Sequence, residues 1–322
     1  MSPKKPLLIA GALIVVTLIV GSFIVLAPAP APPPLPDPNG YDRLIEIARQ
    51  LPEVPDPDAR APANDDSMQL AERYGLSDVP DSTSREPAGI GGFVTNHVAR
   101  LDDIRKALEL ECRVPIAYSM EFTSGHMPDL AAFKKLARAL TVEGRWHLQE
   151  GRTNEAAQSY LDAVQLGTEG LRGGVLITEL VALSCRAVGV THLEQIARQL
   201  DAGTCRAAIV RLQGFRGSIP AVNETLERER EWARRTFGFT GRIVSALPAS
   251  RSSMNKALQS FIAKHNQHIQ SLDALLVVLA ERAFELDHGR PPENPDQLVP
   301  DYLAELPRDP GTAELPPNVS GE

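Results

Sequence analysis

Aromatic residues are scarce in this chain, at 5% of 322 residues. A core must therefore be built mainly from Leu, Val, Ile and Ala. Long β-branched alternations are rare as well, which points to helix and away from sheet. Cysteine is nearly absent. The three present, Cys112, Cys185 and Cys205, form an odd set, so at most one internal pair can form. Positive charge is in deficit, with a net charge of −8. Phosphate contacts need clustered Lys and Arg, so no nucleic-acid partner is expected. The deficit is local: from Asp37 to Glu86 twelve Asp or Glu face five Arg, a net of −7. That stretch reads as solvated and partly irregular.

Signatures of chemistry are missing too. There is no Gly-rich phosphate loop, Gly-x-Ser-x-Gly, His-Glu-x-x-His or Cys-x-x-Cys. His265 and His268 stand three apart on a helical stretch, but two ligands are too few for a closed zinc site. His147 and Glu150 have the same spacing and read as a packed histidine beside a surface carboxylate. The expectation is no catalytic residue, no metal and no cofactor.

What is there begins with "LLIAGALIVVTLIVGSFIVLA", Leu7 to Ala27, a run without charge. Helical rise takes it across about 30 Å, the thickness of bilayer hydrocarbon. Lys4 and Lys5 precede it and Arg43 is the first basic residue after it. This asymmetry puts the N-terminus in the cytoplasm and the rest outside, as a periplasmic domain. A cleaved signal peptide is the competing reading. Its apolar core is usually shorter, and prolines follow each small residue, Ala27, Ala29 and Ala31, at which cleavage could occur. Residues 1–27 are therefore read as a cytoplasmic stub and anchor. Thr17 and Gly21 have the small-xxx-small spacing through which two copies could pair as a homo-oligomer.

Residues 28–38, "PAPAPPPLPDP", read as a stiff polyproline II spacer about 34 Å long. An acidic, partly irregular helical segment is expected over 39–128. Within it, Asn39 caps a helix whose stripe is Tyr41, Leu44, Ile45, Ala48 and Leu51. A second short helix is expected from Met68 to Tyr74. A third runs from Phe93 to Glu111, on Val94, Val98, Leu101, Ile104, Ala107 and Leu108. From 129 to 287 the pattern is almost wholly helical. Helices are expected from Leu130 to Glu150, Asn154 to Leu166 and Val175 to Val188. Two more start at Thr191, where Thr191 and Glu194 form a capping box, and at Thr204. A charged helix over Glu224 to Arg235 has Leu226 and Trp232 inward and carries Glu224–Arg228 and Glu231–Arg235 pairs. The last runs from Ser253 to Asp287. The fold class is all-α.

Leu140 to Ala163, "LTVEGRWHLQEGRTNEAAQSYLDA", resembles one tetratricopeptide repeat, set over 137–170. Leu140, Gly144, His147, Ala156 and Tyr160 stand at its Trp, Gly, Tyr, Ala and Phe positions, with Glu143 where Leu is usual. At a 34-residue offset the small positions fall on Thr178, Cys185 and Val190, so no second copy follows. An ordinary helical hairpin in an irregular bundle fits the same residues. The resemblance implies a partner surface on the concave side, around Trp146, His147 and Tyr160. Cys185 and Cys205 flank a short stretch and could form a disulfide; buried free thiols are the alternative.

Residues 288–322 form the tail. Phe284, His288, Gly289, Pro292, Leu298, Tyr302, Leu303, Pro307, Asp309 and Pro310 give it a resemblance to the C-terminal motif of type II secretion pseudopilins. The Gly-Phe-Thr-x-x-Glu signal of that family is absent, so pilus assembly is not implied. The order of anchor, proline spacer, helical hairpins and tail, with "ECRVP" at Glu111 to Pro115 and "EREWARR" at Glu229 to Arg235, is similar to single-pass membrane proteins of planctomycete-type bacteria. That resemblance implies a location and an architecture, and no activity. The tail's Leu298, Tyr302, Leu303 and Leu306 are too few to form a core alone, so they are expected to fold back near Leu276, Leu279 and Phe284.

The reading that combines these points is a membrane-tethered extracytoplasmic scaffold with a protein or peptide partner in the envelope. An accessory subunit of a secretion machine and an enzyme with a site assembled from distant positions are the alternatives. The topology is testable with Asn318→Cys in a background lacking the native cysteines. An impermeant thiol reagent should label it on intact spheroplasts; labelling only after lysis would put the domain in the cytoplasm.

Overall fold

The computed structural model describes residues 34–55, 89–246 and 248–307, with backbone alone between 239 and 255. The apolar run Leu7 to Ala27, the spacer up to residue 33, the helix expected over Met68 to Tyr74 and the end of the chain from 308 lie outside the described residues. Among these the chain is all-helical, without strands.

Helix α1, Gly40–Gln50, starts where Asn39 accepts a hydrogen bond from the Tyr41 amide at 3.2 Å. Tyr41, Leu44, Ile45, Ala48 and Leu51 are all buried. Lys135 donates to the carbonyls of Ala48, at 2.9 Å, and Leu51, placing a cation at the negative end of the helix. Helix α2, Ile90–Leu108, buries Val94, Leu101, Ile104, Ala107 and Leu108 as expected, but Val98 is exposed. The helix leaves regular geometry at His97, φ −124°, next to Val98. Helix α3, Phe122–Gln149, begins a full two turns before the expected Leu130 and contains Pro128. The boundary expected at 128/129 therefore falls inside one helix, and α1 and α2 share a core with it.

Helix α4, Thr153–Gln165, follows a turn in which Gly151 has φ 73°. It runs into a π-turn, Leu166–Gly170. Helix α5, Leu176–Ile196, extends through a 3-10 turn to Gln199. Thr191 lies inside α5, so the expected break there and its capping box are not made. The reason is packing. A Cβ on Gly189 would stand 2.6 Å from the Tyr160 carbonyl oxygen, and one on Gly144 would stand 2.3 Å from the Tyr160 ring. Glycine at 189 serves a close helix crossing, not a chain break. By length and composition Leu176–Gln199 could cross a membrane, but more than half of it is buried in the protein. It holds a buried Arg186–Glu179 ion pair at 2.5 Å.

Helix α6, Ala202–Ser218, is capped by Asp201, which accepts from Thr204 N at 2.7 Å. Helices α7, Val222–Ala246, and α8, Pro248–His288, complete the set. One apolar cluster joins α1 to α3 with α4 and α5; a second joins α4, α5, α6, α8 and the tail. Four helices are also tied by charge. Arg105 of α2 donates to Asp162 of α4 at 2.6 Å and to Glu143 of α3, and Arg211 of α6 donates to Asp162 at 2.8 Å. Ser159 donates to Glu143 at 2.9 Å. Burial alone would lower the Arg105 pKa, but Glu143 and Asp162 outweigh it and raise it.

The tail is docked. Gly289, φ 69°, ends α8. A 3-10 turn, Pro295–Leu298, then places Leu298 and Leu303 in the second cluster with Leu276, Leu279 and Phe284. Tyr302 packs on Phe284 with ring centroids 5.8 Å apart and donates its hydroxyl to Asp287 at 2.5 Å. Truncating a fully buried leucine costs about 2–5 kcal/mol. Leu303→Ala should lower the denaturant midpoint accordingly, and Leu306→Ala, half-buried, should lower it less; a midpoint unchanged by Leu303→Ala would show that the tail does not dock through Leu303.

Candidate functional site

A cleft of about 790 Å³ lies between the irregular run 113–118 and α7. The run is pinned from three sides. The Asn39 side chain accepts from Arg113 N at 3.0 Å and donates to Arg113 O at 2.9 Å. Val114 N donates to Arg172 O at 3.0 Å. Trp232 Nε1 donates to Ala117 O at 3.0 Å, which holds α7 against the run. Phe122, Val175 and Trp232 are a small buried cluster at this place, with Ile116 and Tyr118 packed on it. The "ECRVP" and "EREWARR" stretches, more than a hundred residues apart in sequence, thus meet across one cleft. Leu35 also lines it, and Arg113 Nη1 donates to Pro34 O at 3.3 Å. Pro34 and Leu35, within the stretch expected as a spacer, therefore lie against the domain.

Helix α7 is fixed from behind. The Glu229 carboxylate accepts from Leu176 N at 2.9 Å, satisfying an orphan amide at the positive end of α5. Burial raises the Glu229 pKa, and this bond opposes the rise. Arg228 donates to Gly174 O at 3.1 Å and to Thr225 at 3.2 Å. The expected Glu224–Arg228 pair is replaced by these bonds, while Glu231–Arg235 forms. Arg235 also lies 4.6 Å over the Tyr118 ring. Trp232 is buried as expected; Leu226 is half-buried.

Behind the cleft Phe122 stacks on His126 at 5.0 Å. His126 Nε2 is 3.1 Å from the Thr178 hydroxyl and Nδ1 is 3.3 Å from the Tyr41 hydroxyl, which donates to Asp129 at 3.0 Å. The Tyr41 proton is committed to Asp129, so Nδ1 is the donor to the Tyr41 oxygen, and in the neutral ring that burial favours Nε2 accepts from Thr178.

The residues expected to form a partner surface do not do so together. Tyr160 is buried: with no side chain at Gly144, its ring fills the crossing of α3 and α4 and stacks on His192 at 5.1 Å. Burial raises its pKa to about 12. Trp146 is half-buried, with Arg152 4.3 Å over its ring, and His147 Nδ1 accepts from Arg152 Nε at 3.1 Å. Cys112, Cys185 and Cys205 are free and buried. Cys185 and Cys205 sit in different apolar clusters, and Cys185 points its thiol at Phe133 O, 3.8 Å away. Burial pushes the Cys185 and Cys205 thiols up, to about 12 and about 11. Among the described residues no group of three or more His, Cys, Asp or Glu is placed to hold a metal ion. A smaller pocket of about 430 Å³ between α1 and α2 is polar, and its charges pair locally as Arg43–Glu46 at 3.0 Å and Arg100–Asp103 at 3.3 Å. No protein-family model matches the chain, and neither a curated protein nor a solved structure matches it.

His265 and His268 are buried on α8 without a partner at Nδ1 and Nε2 respectively, and Arg186 Nε is likewise unpaired. Burial lowers the two imidazoles to about 4 and about 3, and the nearby Arg186 and Arg216 add to this. Both lie below the ordinary 6.5, so the unfolded chain binds more protons as the pH falls through that value. Stability should decline between pH 6.5 and 5, by up to about 1.4 kcal/mol per pH unit for each histidine. Chemical denaturation across that range should show the slope, and the His265→Leu, His268→Leu double variant should make it shallower, leaving the part due to His126 and His147.

Proposed function

We propose that the chain is a membrane-tethered extracytoplasmic interaction protein without catalytic activity of its own, and that the 113–118/α7 cleft is where it meets its partner. The cleft carries this reading: it has an apolar and aromatic floor, an irregular backbone wall and a charged rim, the composition of a protein-binding surface. The apolar run from Leu7 to Ala27, with Lys4 and Lys5 before it, supports the anchor. If Ala27 ends the membrane helix, seven residues reach Pro34. At no more than about 3.6 Å each, they put the cleft rim within about 25 Å of the bilayer surface. A partner would then be met close to the membrane.

The α3–α4 hairpin, with Gly144, Ala156 and Tyr160 at its crossing, supports a likeness to one tetratricopeptide repeat in a bundle otherwise irregular. Its neighbours complete the core, as a single repeat requires. The secretion-accessory reading drew on the tail, whose leucines are used inside the fold.

A photo-crosslinking residue at Glu227, on the cleft rim, should give a discrete adduct in the native envelope. The same residue at Val210, exposed on α6, should not. Identical patterns at both positions, or none at Glu227, would remove the cleft from consideration as a binding surface.

A further inference from the structure

The charge around the cleft is unevenly satisfied. Its arginines are engaged. Arg113 pairs with Glu111 at 2.9 Å and donates to Pro34 O, Arg172 pairs with Glu169, and Arg228 is held by Gly174 and Thr225. Glu231 is taken by Arg234 and Arg235. Glu224 and Glu227, three apart on the exposed edge of α7, have no ion pair among the described residues. The rim therefore presents two carboxylates without an ion pair above an apolar floor of Ile116, Tyr118 and Trp232, beside Arg228, whose guanidinium is turned to the Gly174 carbonyl and the Thr225 hydroxyl.

Resting on the reading of this cleft as a binding site, we propose that its occupant is an extended peptide segment that is both cationic and apolar. Lys or Arg side chains meet Glu224 and Glu227, and an intervening Leu, Val or aromatic side chain rests on the floor. An acidic segment would have to displace the carboxylates paired with Arg113 and Arg172, or the carbonyl and hydroxyl that hold Arg228. It would also face Glu224 and Glu227 directly, which like charge disfavours. A purely apolar segment would leave the two carboxylates without a cationic partner. A small cation would leave the apolar floor uncovered. An extended chain presents side chains alternately to two sides, so it can supply the basic and the apolar groups at once.

The test uses the full chain in phosphatidylcholine nanodiscs, with empty nanodiscs subtracted, and three fluorescent octapeptides read by anisotropy. One alternates Lys with Leu or Val, one has Glu in place of Lys, and one has Ser in place of the apolar residues. The Lys–Leu/Val peptide should bind tightest. Glu224→Lys with Glu227→Lys should weaken it at least tenfold and strengthen the Glu peptide. Both positions are exposed, so the melting transition should not move. Equal binding of the Lys and Glu peptides, or binding untouched by the double charge reversal, would overturn the proposal. If no peptide binds but Glu227 still captures a partner by crosslinking, the charge assignment fails and the interaction reading stands. If crosslinking fails as well, both fall.

Discussion

Helix α4 can occupy the centre of this protein only because its neighbours carry no side chain where they cross it. Gly144 of α3 receives the Tyr160 ring, and Gly189 of α5 receives the Tyr160 backbone. A Cβ at either position would force the helices apart, and close-packed interiors have little room to absorb such a shift. From this one crossing follow the continuity of α5 through Thr191 and the contribution of α4 and α5 to both apolar clusters.

The charged network depends on the same arrangement. Glu143 and Asp162 are almost fully buried, and each would be costly alone. They are tolerable because α2 and α6 deliver Arg105 and Arg211 to them across the α3–α4 crossing. Removing one member would leave charge stranded in a low-dielectric interior. The glutamate at a position where the repeat pattern has leucine is thus the α3 member of a four-helix tie, with Ser159 as its second donor.

The cleft is a product of long-range pinning. Asn39 does two jobs, starting α1 and gripping Arg113 on both sides of its backbone. Trp232 and Glu229, three apart on α7, hold that helix to the 113–118 run and to the start of α5. The Tyr41–His126–Thr178 chain locks the elements behind it. The site sits where irregular backbone is held by side chains, which lets a wall without regular structure keep its shape.

Much of the helical content was legible, because amphipathic spacing and caps are local properties. Asn39, Gly289 and the α1 stripe act within a few residues of themselves, and the tail's apolar residues could only be satisfied by folding back. Local pattern misled where a residue's role was set by a distant partner. One helix was expected to end at Val188 and another to start at Thr191, and both belong to α5; Tyr160 was expected on a partner surface and is core; Arg228 left its helical neighbour for Gly174. A sign of the cleft did exist in the two stretches "ECRVP" and "EREWARR", but nothing in their spacing says they touch. By itself, then, the sequence determined the all-helical class of the described residues and the apolar faces of several helices, since periodicity and capping are encoded over single turns. Only the tertiary structure decided which charges are paired and which are left on a rim, since that depends on contacts between residues far apart along the chain.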